Sequence, residues 1–121
     1  MADVRTRLRA FALSLPEASE DFPWGDRVAK VNRKIFAFLG SDAETAPRLI
    51  TVKLSESHSH ALSIEGAEPT GYGLGPSGWV NVPVDAPEVT LDVFCDWIEE
   101  SYRIVAPKRL VAELDRRDEA R

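Results

Sequence analysis

The sequence predicts a single α+β domain in which helices from both ends of the chain pack against an antiparallel sheet. Three runs of strand-forming residues indicate the sheet, and the first two meet at a tight Asn32-Arg33 connection: RVAKVN, RKIFAFLGS and RLITVKL. Apolar residues at helical spacing predict helices over 3–14 and 90–105. Because 121 residues suffice for one sizeable core, we expect one domain over 1–121, with 118–121 frayed and about five strands.

The first predicted helix has one apolar stripe that faces the core. Its members recur at i, i+4, i+7, i+8 and i+11: Val4, Leu8, Phe11, Ala12 and Leu15. Pro16 ends the helix, because proline disfavours helical geometry in the residue before it. Arg5 and Arg9 lie one turn apart and make a small basic surface, which we interpret as an exposed helical face.

The predicted strands alternate between the two sides of the sheet. In the second run, Phe36 and Phe38 are expected on one side and Ala37 on the other. A later strand, WVNVPV at 79–84, follows the same pattern.

Between these strands, SESHSHALSIEG indicates a short helix capped by Ser55. Thr90 is expected to cap the longest helix, whose wide apolar stripe makes it the main cover of the sheet. Pro107 can begin a last short helix.

Composition restricts the class of protein. No stretch approaches the roughly 18 apolar residues of a membrane span, and the N-terminal residues lack the apolar run of a secretion signal, so a cytoplasmic protein is expected. The single cysteine, Cys95, excludes an internal disulfide. The net charge of -5 argues against attraction of the whole surface to nucleic acid or to an anionic membrane.

Basic residues are nevertheless concentrated in the predicted strands. From Arg27 to Lys53 there are six cations against two acids, a local charge of +4, whereas 54–102 holds nine acids and no lysine or arginine. Solvated outward faces would explain this distribution without any function. The functional interpretation is a basic sheet face or hairpin tip that contacts phosphates. Its candidate residues are Arg27, Lys30, Arg33, Lys34, Arg48 and Lys53.

Patterns typical of cofactor or metal sites are weak in this chain. Residues 73–78 match the G-x-G-x-x-G fingerprint, but a strand follows them where dinucleotide binding requires a helix. His58 and His60 diverge if they lie on a helix, so they make a poor metal pair. With no nucleophile and base recognisably paired, we expect no cofactor, no metal and no enzymatic activity.

Short motifs spread along the chain carry a family resemblance. They are Leu15-Pro16, Asp21-Phe22-Pro23-Trp24-Gly25, Lys30-Val31, Lys34-Ile35-Phe36-Ala37, Tyr72, Trp79-Val80, Ser101-Tyr102 and Val105. In order and spacing the chain resembles the MmcQ/YjbR family of small bacterial proteins over roughly 4–114. The resemblance implies a CyaY-like (frataxin-like) α+β fold and a predicted DNA-binding role, with no agreed catalytic residues.

Two functions follow as hypotheses. The first is weak, salt-dependent DNA binding by the six cations. The alternative is a module that binds a protein or a small ligand without catalysis, in a cleft lined by four aromatic residues. The four are Phe22, Trp24, Tyr72 and Trp79.

Overall fold

The computed structural model describes residues 4–22, 26–40, 49–71 and 75–119 and confirms the α+β class. Within these ranges the helices are α1 (Val4–Leu13), α2 (His58–Leu62), α3 (Leu91–Val105) and α4 (Lys108–Glu119), with a 3-10 turn at Gly75–Ser77. The strands are β1 (Ser19–Asp21), β2 (Arg27–Val31), β3 (Lys34–Gly40), β4 (Leu49–Lys53), β5 (Glu68–Pro69) and β6 (Trp79–Pro83). They form one antiparallel sheet in the order β1-β2-β3-β4-β6-β5.

The sheet has six strands, close to the predicted five, and the strand at each edge is short. The three predicted runs are confirmed as β2, β3 and β4. The segment after Pro16 contains β1, which pairs with β2 from Ser19↔Lys30 to Asp21↔Val28. At the opposite edge, two-residue β5 pairs with β6. Strands this short lack the alternating apolar pattern by which strands are predicted.

A bulge in β3 reverses the expected placement of one aromatic ring. Ala29 pairs with Ala37, but Lys30 pairs with Ile35, which leaves Phe36 as an extra residue in its strand. The Phe36 ring therefore faces the helices and packs edge-on against Tyr102, with ring centroids 5.2 Å apart. The prediction that Phe36 and Phe38 share a side was wrong, because alternation holds only where the ladder is regular.

The core lies between the sheet and the helices. From the pairing register, the helix-facing side of the sheet includes five residues that are fully or almost fully buried: Val31, Ala37, Ile50, Val52 and Val80. As predicted, α3 is the main cover, with four apolar or aromatic side chains buried: Phe94, Trp97, Ile98 and Tyr102. The far side of the sheet carries Val28, Phe38, Thr51, Trp79 and Asn81 in register.

Two consecutive α3 residues attach this helix to the rest of the fold. The buried Ser101 hydroxyl donates to the Phe36 carbonyl at 2.5 Å and accepts from the Lys53 backbone N–H at 2.9 Å. It thereby links β3 to β4 outside their two ladder pairs. The Tyr102 hydroxyl donates to the Pro16 carbonyl at 2.7 Å and fixes the segment after α1.

The helix starts agree with the sequence in one case and differ in another. Thr90 caps α3 as predicted, because its hydroxyl accepts from the Val93 N–H. The predicted Ser55 cap of α2 was wrong. The N-cap residue is Ser57, and the Glu100 carboxylate of α3 accepts from the backbone N–H groups of Ser55 and Ser57 just before the helix.

Candidate nucleic-acid interface

The β2–β3 turn presents two cations at one end of the sheet. Asn32 and Arg33 have φ angles of 51° and 68°, the combination that a two-residue type I′ hairpin requires. Arg33 and its neighbour Lys34 are both exposed. The turn thus exposes two consecutive cationic residues to solvent.

Two further cations lie at this end of the sheet. Lys30 pairs with Ile35 next to the turn. Lys53 is the last residue of β4, and because β4 runs antiparallel to β3, it lies at the end where β3 begins. We refer to the four as the turn-end cations: Lys30, Arg33, Lys34 and Lys53.

The turn-end cations differ in how far carboxylates neutralise them. Lys30 Nζ lies 3.5 Å from Asp21 Oδ2 of the edge strand. Within the described residues, no carboxylate forms an ion pair with Arg33, Lys34 or Lys53. Three of the four cations are therefore available to pair with the negative groups of a ligand.

Arg27 lies apart from them, at the opposite end of β2, where it pairs with Gly40. Its Nε atom is 3.8 Å from Glu20 Oε2, and its guanidinium lies over the Phe22 ring, 5.1 Å from the centroid. Glu20 also accepts from Arg9, and this hydrogen bond holds the pKa of Glu20 below its ordinary value. Arg27 thus belongs to an internal charge cluster, and Arg48 lies outside the described residues.

Arg5 and Arg9 do not form the exposed face that was expected of the first helix. Nε and Nη2 of Arg5 both donate to the Leu39 carbonyl, at 3.2 and 3.0 Å. Arg9 is bound to Glu20. These two cations attach α1 to β3 and to β1.

The predicted aromatic cleft is only partly described. Trp24 and Tyr72 lie outside the described residues. Phe22 is half exposed beside Arg27, whereas Trp79 is buried and packs edge-on against Phe38, with ring centroids 5.5 Å apart. Since Phe22 follows edge strand β1 and Trp79 begins β6, three strands separate the two rings, and the structure does not bring them together.

Sequence reasoning missed a cavity next to Lys53. This open depression has a volume of about 490 Å³, and its lining is mainly polar: Leu54, Ser55, His58, Ser59, Pro76, Ser77 and Gly78. Gly78 allows the close approach of two segments here, because a Cβ atom at its φ of +99° would lie 2.7 Å from the Leu54 carbonyl. The one sequence signal was SESHSH, which predicted a short helix and a poor metal pair but no cavity.

The two histidines of this segment have different surroundings. His58 lines the cavity, while His60 packs edge-on against the Trp97 ring, with centroids 5.4 Å apart. No group of three or more potential metal ligands is present in the described part of the chain. In the same ranges no helix has the length and apolar character needed to cross a membrane.

Comparison with known proteins identifies a family and a solved structure of similar fold. The YjbR family model matches residues 13–104. The fold is similar to the crystal structure of the Deinococcus radiodurans protein DR2400, family-model domain DUF419, with a TM-score of 0.70. That similarity covers 91% of this chain and 86% of the other at 23% sequence identity, so it supports a shared fold. No curated protein matches the chain.

Proposed function

This chain belongs to the YjbR family, and we propose that it binds nucleic acid weakly and without sequence preference through the turn-end cations. The role is binding without catalysis. Phosphates contact Arg33, Lys34 and Lys53, and Lys30 contributes at the edge of the site. Phosphate contacts by these side chains carry no sequence information, because they do not read base edges.

The observation that carries the proposal is the exposed pair Arg33 and Lys34 on a turn with no ion pair among the described residues. Arginine is an unfavourable residue at this place. At a positive φ it costs about 1 kcal/mol relative to glycine, the residue that type I′ turns prefer there. A charged side chain at a strained and exposed position supports a use for that charge.

The charge distribution limits the strength of binding. The chain as a whole carries -5, and residues 54–102 contain nine acids without a lysine or arginine. Attraction is therefore local, and repulsion from the rest of the molecule opposes it. If three or four phosphates are neutralised, the logarithm of the binding constant should fall with the logarithm of salt concentration with a slope of about -3.

The test is fluorescence anisotropy with labelled duplex and single-stranded DNA at low and at physiological salt. We expect retention at low salt that the double substitution Arg33→Glu with Lys34→Glu abolishes. The matched control is Lys108→Glu with Arg116→Glu, which makes the same charge change at exposed positions of α4. Equal loss in both variants, or no binding by the wild-type protein at low salt, would overturn the proposal.

A further inference from the structure

The cavity beside Lys53 adjoins the turn-end cations but differs from them chemically. Lys53 directly precedes Leu54, which lines the cavity, and in the sheet it pairs with Trp79, the neighbour of the lining residue Gly78. The cation Lys53 and the first lining residue of the uncharged cavity are therefore consecutive in the chain, about 3.8 Å apart between Cα atoms.

The walls of the cavity are polar but carry no charged side chain among the described lining residues. The hydroxyls of Ser55, Ser59 and Ser77 form no side-chain hydrogen bond within the described residues, so each can donate to and accept from a ligand. Leu54 and Pro76 add apolar surface. This combination suits a flat, neutral molecule with several donors and acceptors.

An acidic neighbour excludes an anion from the same place. The Glu100 carboxylate accepts from the backbone N–H groups of Ser55 and Ser57 and from the Ser57 hydroxyl. Two backbone N–H groups that could have held a phosphate just before α2 are thus already occupied by a negative group. The cavity disfavours phosphate, while Lys53 next to it favours phosphate.

His58 provides a ring that can adjust to a ligand. Its Nε2 atom is shielded from solvent and has no hydrogen-bond partner in the described part of the chain. A buried nitrogen without a partner is destabilising. Turning the ring toward a bound molecule therefore breaks no existing side-chain hydrogen bond of His58 and can supply the missing one.

We propose that this cavity accepts one unpaired nucleobase of a single-stranded nucleic acid whose phosphates lie on the turn-end cations. The inference rests on the proposed function and specifies its substrate class. In a single strand, neutral bases alternate with charged phosphates, which matches the neighbouring neutral and cationic surfaces. In a duplex the bases are paired and stacked and do not reach such a depression without being extruded.

The experiment compares three labelled probes of equal length at low salt: a single strand, a chain of abasic deoxyribose phosphates and a duplex. We expect the single strand to bind about tenfold more tightly than the abasic chain, which has the same phosphates without bases. Ser59→Phe fills the cavity and should remove this difference. Ser63→Phe makes the same change at an exposed position outside the lining and should preserve it.

The outcomes separate the two proposals. Equal binding of all three probes would leave phosphate binding standing and overturn the base site. If no probe binds, both proposals fail. As an independent readout, millimolar adenosine should shift the His58 imidazole resonances in NMR spectra of the wild-type protein but not of Ser59→Phe. An equal shift with glucose would mean a general polyol site and would overturn recognition of the base.

Discussion

The two ends of the β2–β3 hairpin use positive charge in different ways. Where β2 begins and β3 ends, Arg5, Arg9 and Arg27 contact the protein itself, through the Leu39 carbonyl, the Glu20 carboxylate and the Phe22 ring. At the turn, Arg33 and Lys34 are exposed and form no ion pair among the described residues. Both ends of the hairpin therefore have cations nearby, but only those at the turn are available to bind a ligand.

This difference teaches that the number of cations in a segment does not measure its capacity to bind phosphate. A guanidinium that already contacts a carboxylate must lose that contact before it can gain another. The relevant quantity is the number of cations without an internal partner, and partners such as Glu20 come from a neighbouring strand that the sequence does not predict. Each test variant below is aimed at one end of the hairpin, so that the two ends can be compared.

The largest effect is expected at Ser101, which links β3 to β4 at the turn end. Ser101→Ala removes the hydroxyl that bonds the Phe36 carbonyl and the Lys53 N–H. Because buried polar groups then lose their partner, the free energy of unfolding should fall by about 2 kcal/mol. Urea denaturation measures this fall. Ser14→Ala is the control, since the exposed Ser14 hydroxyl bonds only locally, and equal losses in the two variants would contradict the proposed link.

Neutralising two cations at each end compares the ends directly. Arg33→Gln with Lys34→Gln should weaken DNA binding about tenfold at low salt and reduce the salt slope by about 2. Arg9→Gln with Arg27→Gln removes the same charge but should change the affinity less than threefold, roughly the effect of altered net charge alone. Fluorescence anisotropy titrations at several salt concentrations measure the DNA affinity of both variants. An equal loss of affinity in the two would contradict the proposed difference between the ends.

At the end of the hairpin where Arg9 and Arg27 contact Glu20, the contribution to stability should depend on pH. The hydrogen bond from Arg9 lowers the pKa of Glu20 below 4.5 in the folded protein. Glu20 therefore contributes stability above about pH 4.5, and this contribution is lost as the pH falls through the lowered folded pKa. Since Arg9 is partly exposed, we expect Glu20→Gln to cost about 1 kcal/mol at pH 7 and less at pH 3. An equal cost at both pH values, measured by urea denaturation, would show that packing rather than charge is responsible.

The smallest expected effect is a gain in stability at the turn. Arg33→Gly relieves the left-handed conformation, which has φ 68°, and should raise the free energy of unfolding by about 0.5 kcal/mol while weakening DNA binding. Lys34→Gly, one residue further within β3, should lower stability instead, because glycine is unfavourable inside a strand. Thermal unfolding of the two variants measures these opposite changes in stability. A loss of stability in Arg33→Gly would mean that the arginine has a structural role in the turn.

The fold could be predicted largely because its main elements follow local rules. The three central strands, the Thr90 cap and the apolar stripe of α3 all depend on residues close together in sequence. The features that were missed depend on distant partners. Glu100 binds the segment before α2, more than 40 residues earlier, and the bulge at Phe36 appears only when β3 is paired with β2. The similarity to frataxin-like proteins remains a prediction.

The candidate site was predictable in part for the same reason. The Asn32-Arg33 connection identifies a hairpin tip from two adjacent residues, so the exposure of Arg33 and Lys34 could be expected. The partner of Arg27 could not, since Glu20 lies on a three-residue edge strand with no recognisable pattern. The cavity at His58 forms where the end of β4, α2 and the 3-10 turn pack together. Residue spacing in the sequence does not indicate that these three elements are in contact.

The shortness of both outer strands has a consequence for how these molecules behave at high concentration. An open sheet invites a neighbouring molecule to add a strand, and long flat borders lead to aggregation in this way. Here one border has three residues, two of them acidic, and the other has two residues, one of which is Pro69 and lacks an N–H group. Among the residues that the structure describes, neither border offers a long row of hydrogen-bonding groups, so crowding should not lead to amyloid-like fibres.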